Sequence, residues 1–231
     1  MKKFKLFCIP HAGGSASVYS KWNKFTQPYI EVVPIELAGR GKRFNENLYS
    51  SVNEAVEDIY KIIKDDLKTD YALFGHSMGS LIAYELAHYI IKLQKDSPKH
   101  IFLSGKKAPH IKADNICIDD LSDTEFKDKI LSLSGTPKEI FQNKDMLNIF
   151  EPILKADLRI LDAYKYFERG EKLNCNITIL NGKNDNLTIN DIWSWKQHTS
   201  KSCNIYLFKG GHFYLNENIK DLINIINSTL K

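Results

Sequence analysis

No CxxC pair and no Cys/His metal spacing occurs among the four cysteines, Cys8, Cys117, Cys175 and Cys203. That excludes zinc-ribbon and thioredoxin-type motifs. Cys8, Cys175 and Cys203 fall in or beside apparent strands, where cysteine acts as a small hydrophobe. A reduced, cytoplasmic protein is the simplest expectation. Long apolar runs are missing too, so no membrane span is expected. The opening "MKKFKLFCIPHAGG" makes a poor signal peptide, because proline, histidine and a glycine pair follow a short apolar run. The net charge is +4 over 231 residues, yet there is no arginine-rich block and no basic run interleaved with aromatics. Nucleic-acid binding is therefore not expected. Linker-like stretches, internal repeats and an obvious oligomerisation stripe are also lacking, which fits one domain, 1–231, acting as a monomer.

What is present is an alternation. Short apolar runs at 5–10, 31–36, 71–75, 100–105, 176–182 and 204–210 read as buried parallel strands. Between them, 50–67 places Val52, Val56, Ile59, Ile63 and Leu67 on one helical stripe, and 80–93 and 216–230 are also helical in spacing. Strands alternating with helices predict an α/β fold: a mainly parallel sheet covered on both faces. The interval 119–168 breaks the rhythm. It has no convincing strand, reads as two or three helices punctuated by Gly135-Thr136-Pro137, and is expected to form a helical lid over the carboxyl edge of the sheet.

The chemistry starts at "YALFGHSMGSLIAYELA", where Gly-x-Ser-x-Gly joins a strand to a helix. This is the nucleophile-elbow pattern. The serine must take unfavourable backbone angles so that its hydroxyl projects, and residues two positions away must lack side chains. The bland alternative is a flexible loop with Ser77 as a helix cap. A serine nucleophile needs a base and an orienting acid, following it in chain order on such a fold. His212 in "LFKGGHFYLN" lies after a strand and before the last helix, unlike His88, His100, His110 and His198; the bland reading has it capping that helix. Asp185 in "ILNGKNDNLT" sits just past a strand, where its carboxylate would hold the His212 tautomer. Asp191 belongs to the next helix, and Asp157 and Asp162 to the helical insertion; a solvated turn aspartate is the bland reading of Asp185. Backbone N–H groups must also meet the developing oxyanion. Met78, after the nucleophile, supplies one, and Ala12 in "IPHAGGSASVY" is the choice for the second. Without GKS/GKT or GxGxxG spacing, a phosphate cradle at Gly13-Gly14 is a weak rival. His11 and His76 are expected to pack beside the site.

Together these segments resemble the type II thioesterases, stand-alone editing hydrolases of nonribosomal peptide and polyketide synthesis. "IPHAGGSASVY" resembles their PxAGG loop, and "ELAGRGKRFNE" their LPGRGxR segment, with Ala38 where proline is usual. "FGHSMGSLIAYELA" matches their elbow, "LSGKKAPHI" their SGxxAPH segment, "PILKADLRILDAYKY" a lid helix, and "GGHFYLN" their histidine loop. Asn184-Asp185-Asn186 replaces a DDP-like acid loop. The resemblance implies an α/β-hydrolase fold with a lid, Ser77, Asp185 and His212 as triad, and Ala12 and Met78 as oxyanion hole. It implies no cofactor or metal of the protein's own, since phosphopantetheine arrives on an acyl or peptidyl carrier domain. Lys106 and Lys107 are candidates for facing an acidic carrier domain. A general serine esterase or acyltransferase, or a stand-alone product-releasing thioesterase, is the alternative on the same fold.

Overall fold

The computed structural model describes residues 3–111, 118, 121–132 and 143–231. Cys117 and the Gly135-Thr136-Pro137 punctuation lie outside the described residues. Six parallel strands form one sheet in the order β2-β1-β3-β4-β5-β6. They are β1 (Phe4–Ile9), β2 (Ile30–Pro34), β3 (Tyr71–His76), β4 (His100–Ser104), β5 (Asn176–Gly182) and β6 (Cys203–Phe208). Each of the six apolar runs read from the sequence is one of these strands, within a residue or two.

The inner strands are apolar on both sides because both of their faces are covered, whereas the edge strands β2 and β6 are partly exposed. Alternate side chains of a strand point to opposite faces. On β1, Phe7 and Ile9 pack with α1 (Val52–Ile63) and α2 (Met78–Lys92), while Leu6 and Cys8 pack with the last helix, Ile219–Thr229. On β3, Tyr71 and Leu73 take the first face and Ala72 and Phe74 the second. The α1 stripe is buried as its spacing requires: Val52, Val56, Ile59, Ile63 and Leu67 all lie in the core. α2 is buried over most of its circumference, as an apolar helix flanked by other elements must be. Between β4 and β5 the described residues form α3 (Asp123–Ser132) and the longer α4 (Lys144–Asp162). No helix among the described residues is long and apolar enough to cross a membrane.

The strand order positions the site. The chain runs from β1 out to β2, then returns to the other side of β1 for β3. The carboxyl ends of β1 and β3 therefore meet at a topological switch point, where open α/β sheets bind their ligands.

Several histidines are buried uncharged. His100 contacts Thr178 Oγ1 through Nε2 at 2.8 Å. Burial pushes its pKa from 6.5 down to about 4, and burial first, then nearby charges, does the same at His198 and His88. Between pH 6.5 and 4 the unfolded chain binds protons at these sites and the folded chain does not, so stability falls as pH falls through that window. His100→Asn removes one contributor. The wild-type advantage over this variant, measured as the urea midpoint, is expected to shrink steadily from pH 6.5 to 4. A constant advantage would contradict the assignment.

Candidate active site

β3 ends at His76, and Ser77 follows with φ 53° and ψ −114°. Positive φ is uncommon for a non-glycine residue and costs of order 1–3 kcal/mol, borne only where the surroundings enforce it. Two glycines make the turn possible. A Cβ on Gly75 would lie 2.0 Å from Gly79 O, and one on Gly79 would lie 2.2 Å from Ile9 O, so only glycine fits either place. Beneath the turn, Ser77 N–H donates to Ser104 O at 2.7 Å. Ser80 Oγ lies 2.7 Å from Gly75 O and accepts from the Ser104 N–H. Ser77 occupies the position before α2, yet its side chain caps nothing. The capping reading of this serine is thus ruled out: its hydroxyl is left for the cavity it lines.

The loops after β5 and β6 bring Asp185 and His212 together. Lys183 N–H donates to Phe208 O at 2.8 Å and Asn184 N–H to Gly210 O at 2.9 Å, which ties the two loops side by side. Asp185 Oδ1 accepts from Asn186 N–H at 2.8 Å, and Oδ2 lies 3.0 Å from His212 Nδ1. The Asp185 side chain is only 6% exposed, so it is not a solvated turn residue. With Nδ1–H donated to the carboxylate, His212 keeps a lone pair on Nε2. His212 caps no helix: Asn218 holds the N-cap of the last one. Asp191 instead closes a capping box with Thr188 on the short helix Ile189–Trp193.

Two further imidazoles stand against His212. The His76 ring centre is 5.0 Å away, and that of His11 is 5.8 Å from His76. Burial first, then His212, lowers both, His11 to about 4. Both are neutral near pH 7, and neither has a carboxylate partner among the described residues. His76 Nδ1 instead pairs with Ser104 Oγ at 2.8 Å, which in turn lies 2.7 Å from Tyr214 Oη. His76 packs beneath the site as expected. His11 packs edge-on against Phe213 and also lines the cavity, with Nδ1 buried and unpartnered.

The backbone N–H groups of Ala12 and Met78 have no partner among the described residues. Met78 opens α2, where the first amides are unpaired and carry partial positive charge. Ala12 lies in the loop after β1, on the other side of the switch point. Ser77, His212 and Ala12 share a cavity of about 440 Å³, whose far wall is Ile130, Phe150, Leu154, Leu158 and Leu161 from α3 and α4. Hollows of about 620 and 570 Å³ flank Arg169, but Ser77, Asp185 and His212 line neither. Among the described residues no group of three or more His, Cys, Asp or Glu side chains is arranged to hold a metal ion. Lys106 and Lys107 are half-buried rather than free surface lysines.

One feature was not read from the sequence. Arg40 and Asp157, 3% and 2% exposed, form a bidentate ion pair against the loop that carries Ala12. The signal was available: Asp157 falls on the same helical stripe as the apolar Phe150, Leu154 and Leu161.

The Thioesterase domain family matches residues 4–230. The gramicidin S biosynthesis protein GrsT of Aneurinibacillus migulanus is 35% identical over 230 residues, covering 99% of this chain and 90% of the relative. The medium-chain S-acyl fatty acid synthase thioesterase of Rattus norvegicus is 36% identical over 233 residues, covering 95% and 86%. Among solved structures, ClbQ from the colibactin NRPS/PKS pathway superimposes with a TM-score of 0.93 at 33% identity, covering 99% of this chain and 97% of ClbQ.

Proposed function

The chain belongs to the thioesterase domain family, a hydrolase acting on thioesters whose relatives serve nonribosomal peptide and polyketide pathways, and from that premise we propose that it clears acyl or aminoacyl groups from the phosphopantetheine arms of carrier domains, regenerating stalled synthases. The observation that carries this is that a strained, uncapped Ser77 and a His212 oriented by Asp185 line one cavity whose far wall is apolar.

In this reading His212 Nε2 takes the Ser77 proton as Oγ attacks the thioester carbonyl. The tetrahedral oxyanion forms between the Ala12 and Met78 amides, whose lack of other partners leaves them for it. Collapse breaks the C–S bond. The pantetheine thiol, with a pKa of about 8.5, leaves more readily than an amine and takes its proton from His212. Water then gives a proton to His212 as it attacks the acyl-serine, and His212 returns that proton to Ser77 Oγ as the acid leaves. The base, nucleophile and oxyanion donors in this sequence all belong to the chain, so this reading calls for no metal or cofactor of its own; phosphopantetheine arrives with the carrier domain. In this reading α3 and α4 belong to a lid on a single domain, and the apolar α4 side chains receive the acyl group.

The test compares one acetyl group on a carrier domain and on free pantetheine. Higher kcat/KM on the carrier supports the reading, and equal values would sink it in favour of a general esterase. Reversing Lys106 and Lys107 to Glu is expected to lower only the carrier value, by about tenfold, in a salt-dependent way. An unchanged carrier value would show that the two lysines do not face the carrier.

A further inference from the structure

Asp157 projects from α4 into the loop after β1. Its Oδ2 accepts from the Gly13 N–H at 2.8 Å and from Arg40 Nη1 at 2.6 Å, and its Oδ1 accepts from Arg40 Nη2 at 2.7 Å. Arg40 Nη1 also donates to Gly14 O at 3.1 Å, and Arg40 Nε to Ala38 O at 3.3 Å. The pair therefore grips the amide on one side of Gly13 and the carbonyl of Gly14. Gly13 has φ +73°, and a Cβ there would meet the Phe150 ring at 2.9 Å. The peptide that carries the Ala12 N–H is tied to this gripped segment, since its carbonyl, His11 O, accepts from the Gly14 N–H at 2.9 Å.

We propose that Arg40 and Asp157 are positioning residues for the oxyanion hole: the ion pair fixes the Ala12-Gly13-Gly14 loop so that the Ala12 N–H points at the developing oxyanion. The proposal rests on the assignment of Ala12 to that hole. It follows from the direction of the bonds. A carboxylate accepting the Gly13 N–H fixes the orientation of the peptide between Ala12 and Gly13, and Arg40 fixes the Gly14 carbonyl. Gly14, so held, donates its N–H to His11 O, and that carbonyl shares one peptide plane with the Ala12 N–H, so the Ala12 amide has little freedom left. Both partners are charged and buried, so the bonds are short and strongly directional. Asp157 also shares its helix with Phe150, Leu154, Leu158 and Leu161 of the cavity wall. The helix that receives the acyl group thus holds the loop that polarises its carbonyl.

The experiment uses the full-length protein, with steady-state kinetics on acetyl-pantetheine and inhibition by a trifluoromethyl ketone with the same acyl group. The ketone forms a hemiketal oxyanion on the nucleophile and so reports on the hole directly. Asp157→Asn keeps the shape of the side chain but removes the charge that orients Arg40. Its kcat is expected to fall about 10- to 100-fold, less than loss of an oxyanion donor outright. KM should stay within about twofold, and the ketone's inhibition constant should rise in step with the loss in kcat/KM. Arg40→Lys, which retains the charge but not the fork, should fall between Asp157→Asn and wild type in both readouts. Should Asp157→Asn not fold, Arg40→Lys carries the same test. A folded variant with unchanged kcat and unchanged ketone affinity would overturn the proposal. Failure of the ketone to inhibit the wild type would instead overturn the underlying oxyanion-hole reading.

Discussion

Ser77→Ala is expected to lower kcat for thioester hydrolysis about a million-fold while leaving the fold intact. The size follows from the way triad members act as a unit, so that removing the nucleophile alone costs about as much as removing all three. The cavity and the two amides proposed for the oxyanion survive in the variant, and on that reading they leave a residual acceleration of about 10³–10⁴ over water. The fold should tolerate the change, because the Ser77 side chain caps nothing and its N–H bond to Ser104 O is kept. Alanine also meets the same φ of 53°, and the retained glycines still make room for the turn. Kinetics on acetyl-pantetheine together with a thermal melt would check both halves. A variant that stays folded and keeps more than about 1% of its activity would mean that another group attacks the thioester.

Gly75→Ala is the second large effect, and it acts on folding rather than chemistry. The new methyl carbon would lie 2.0 Å from Gly79 O, 2.2 Å from Gly79 C and 2.5 Å from Ser80 N. All three are backbone atoms in the first turn of α2, so no side-chain rotation relieves the clash. To make room, α2 must shift off the carboxyl end of β3. That would separate Gly79 from Ile9 and break the bonds of Ser80 to Gly75 and Ser104. Loss on this scale belongs with the exceptional substitutions costing more than about 4 kcal/mol. For a domain with a total stability of about 5–15 kcal/mol, much of the protein should be unfolded at 37 °C. The urea midpoint and soluble yield would show it. A Gly75→Ala protein with the wild-type midpoint would mean that the elbow is looser than its contacts imply.

The fold and the candidate site were not equally legible in the sequence. The strands were readable because the four inner ones, β1, β3, β4 and β5, are buried on both faces and so carry short continuous apolar runs. The edge strands β2 and β6 keep apolar residues even at exposed or half-buried positions such as Val33, Tyr206 and Leu207. The elbow was readable because Gly75 and Gly79 answer local steric demands, and local demands leave fixed spacings. Asp185 and His212 were readable from their places just after β5 and β6. Whether they touch depended on the pairing of two loops, which spacing alone does not determine. The Arg40–Asp157 pair spans 117 residues and links a loop to a helix of the insertion. Its segments were matched as "ELAGRGKRFNE" and "PILKADLRILDAYKY", but nothing local couples an arginine to an aspartate at that distance. A charged residue on an apolar stripe was the available clue, since a charge is seldom buried without a partner. Lys106 illustrates the converse. It reads as a surface charge, yet it is half-buried, and burial lowers its pKa.

The most direct measurement uses a synthase module whose carrier arm has been deliberately blocked with an acetyl group. Product formation is followed after adding wild-type protein or Ser77→Ala. Wild type should restore turnover and release acetate in step with the return of the free thiol, and Ser77→Ala should leave the module stalled. If the module stays blocked with wild-type protein that hydrolyses acetyl-pantetheine, or if Ser77→Ala restores it equally well, the protein is not a serine-dependent editing thioesterase.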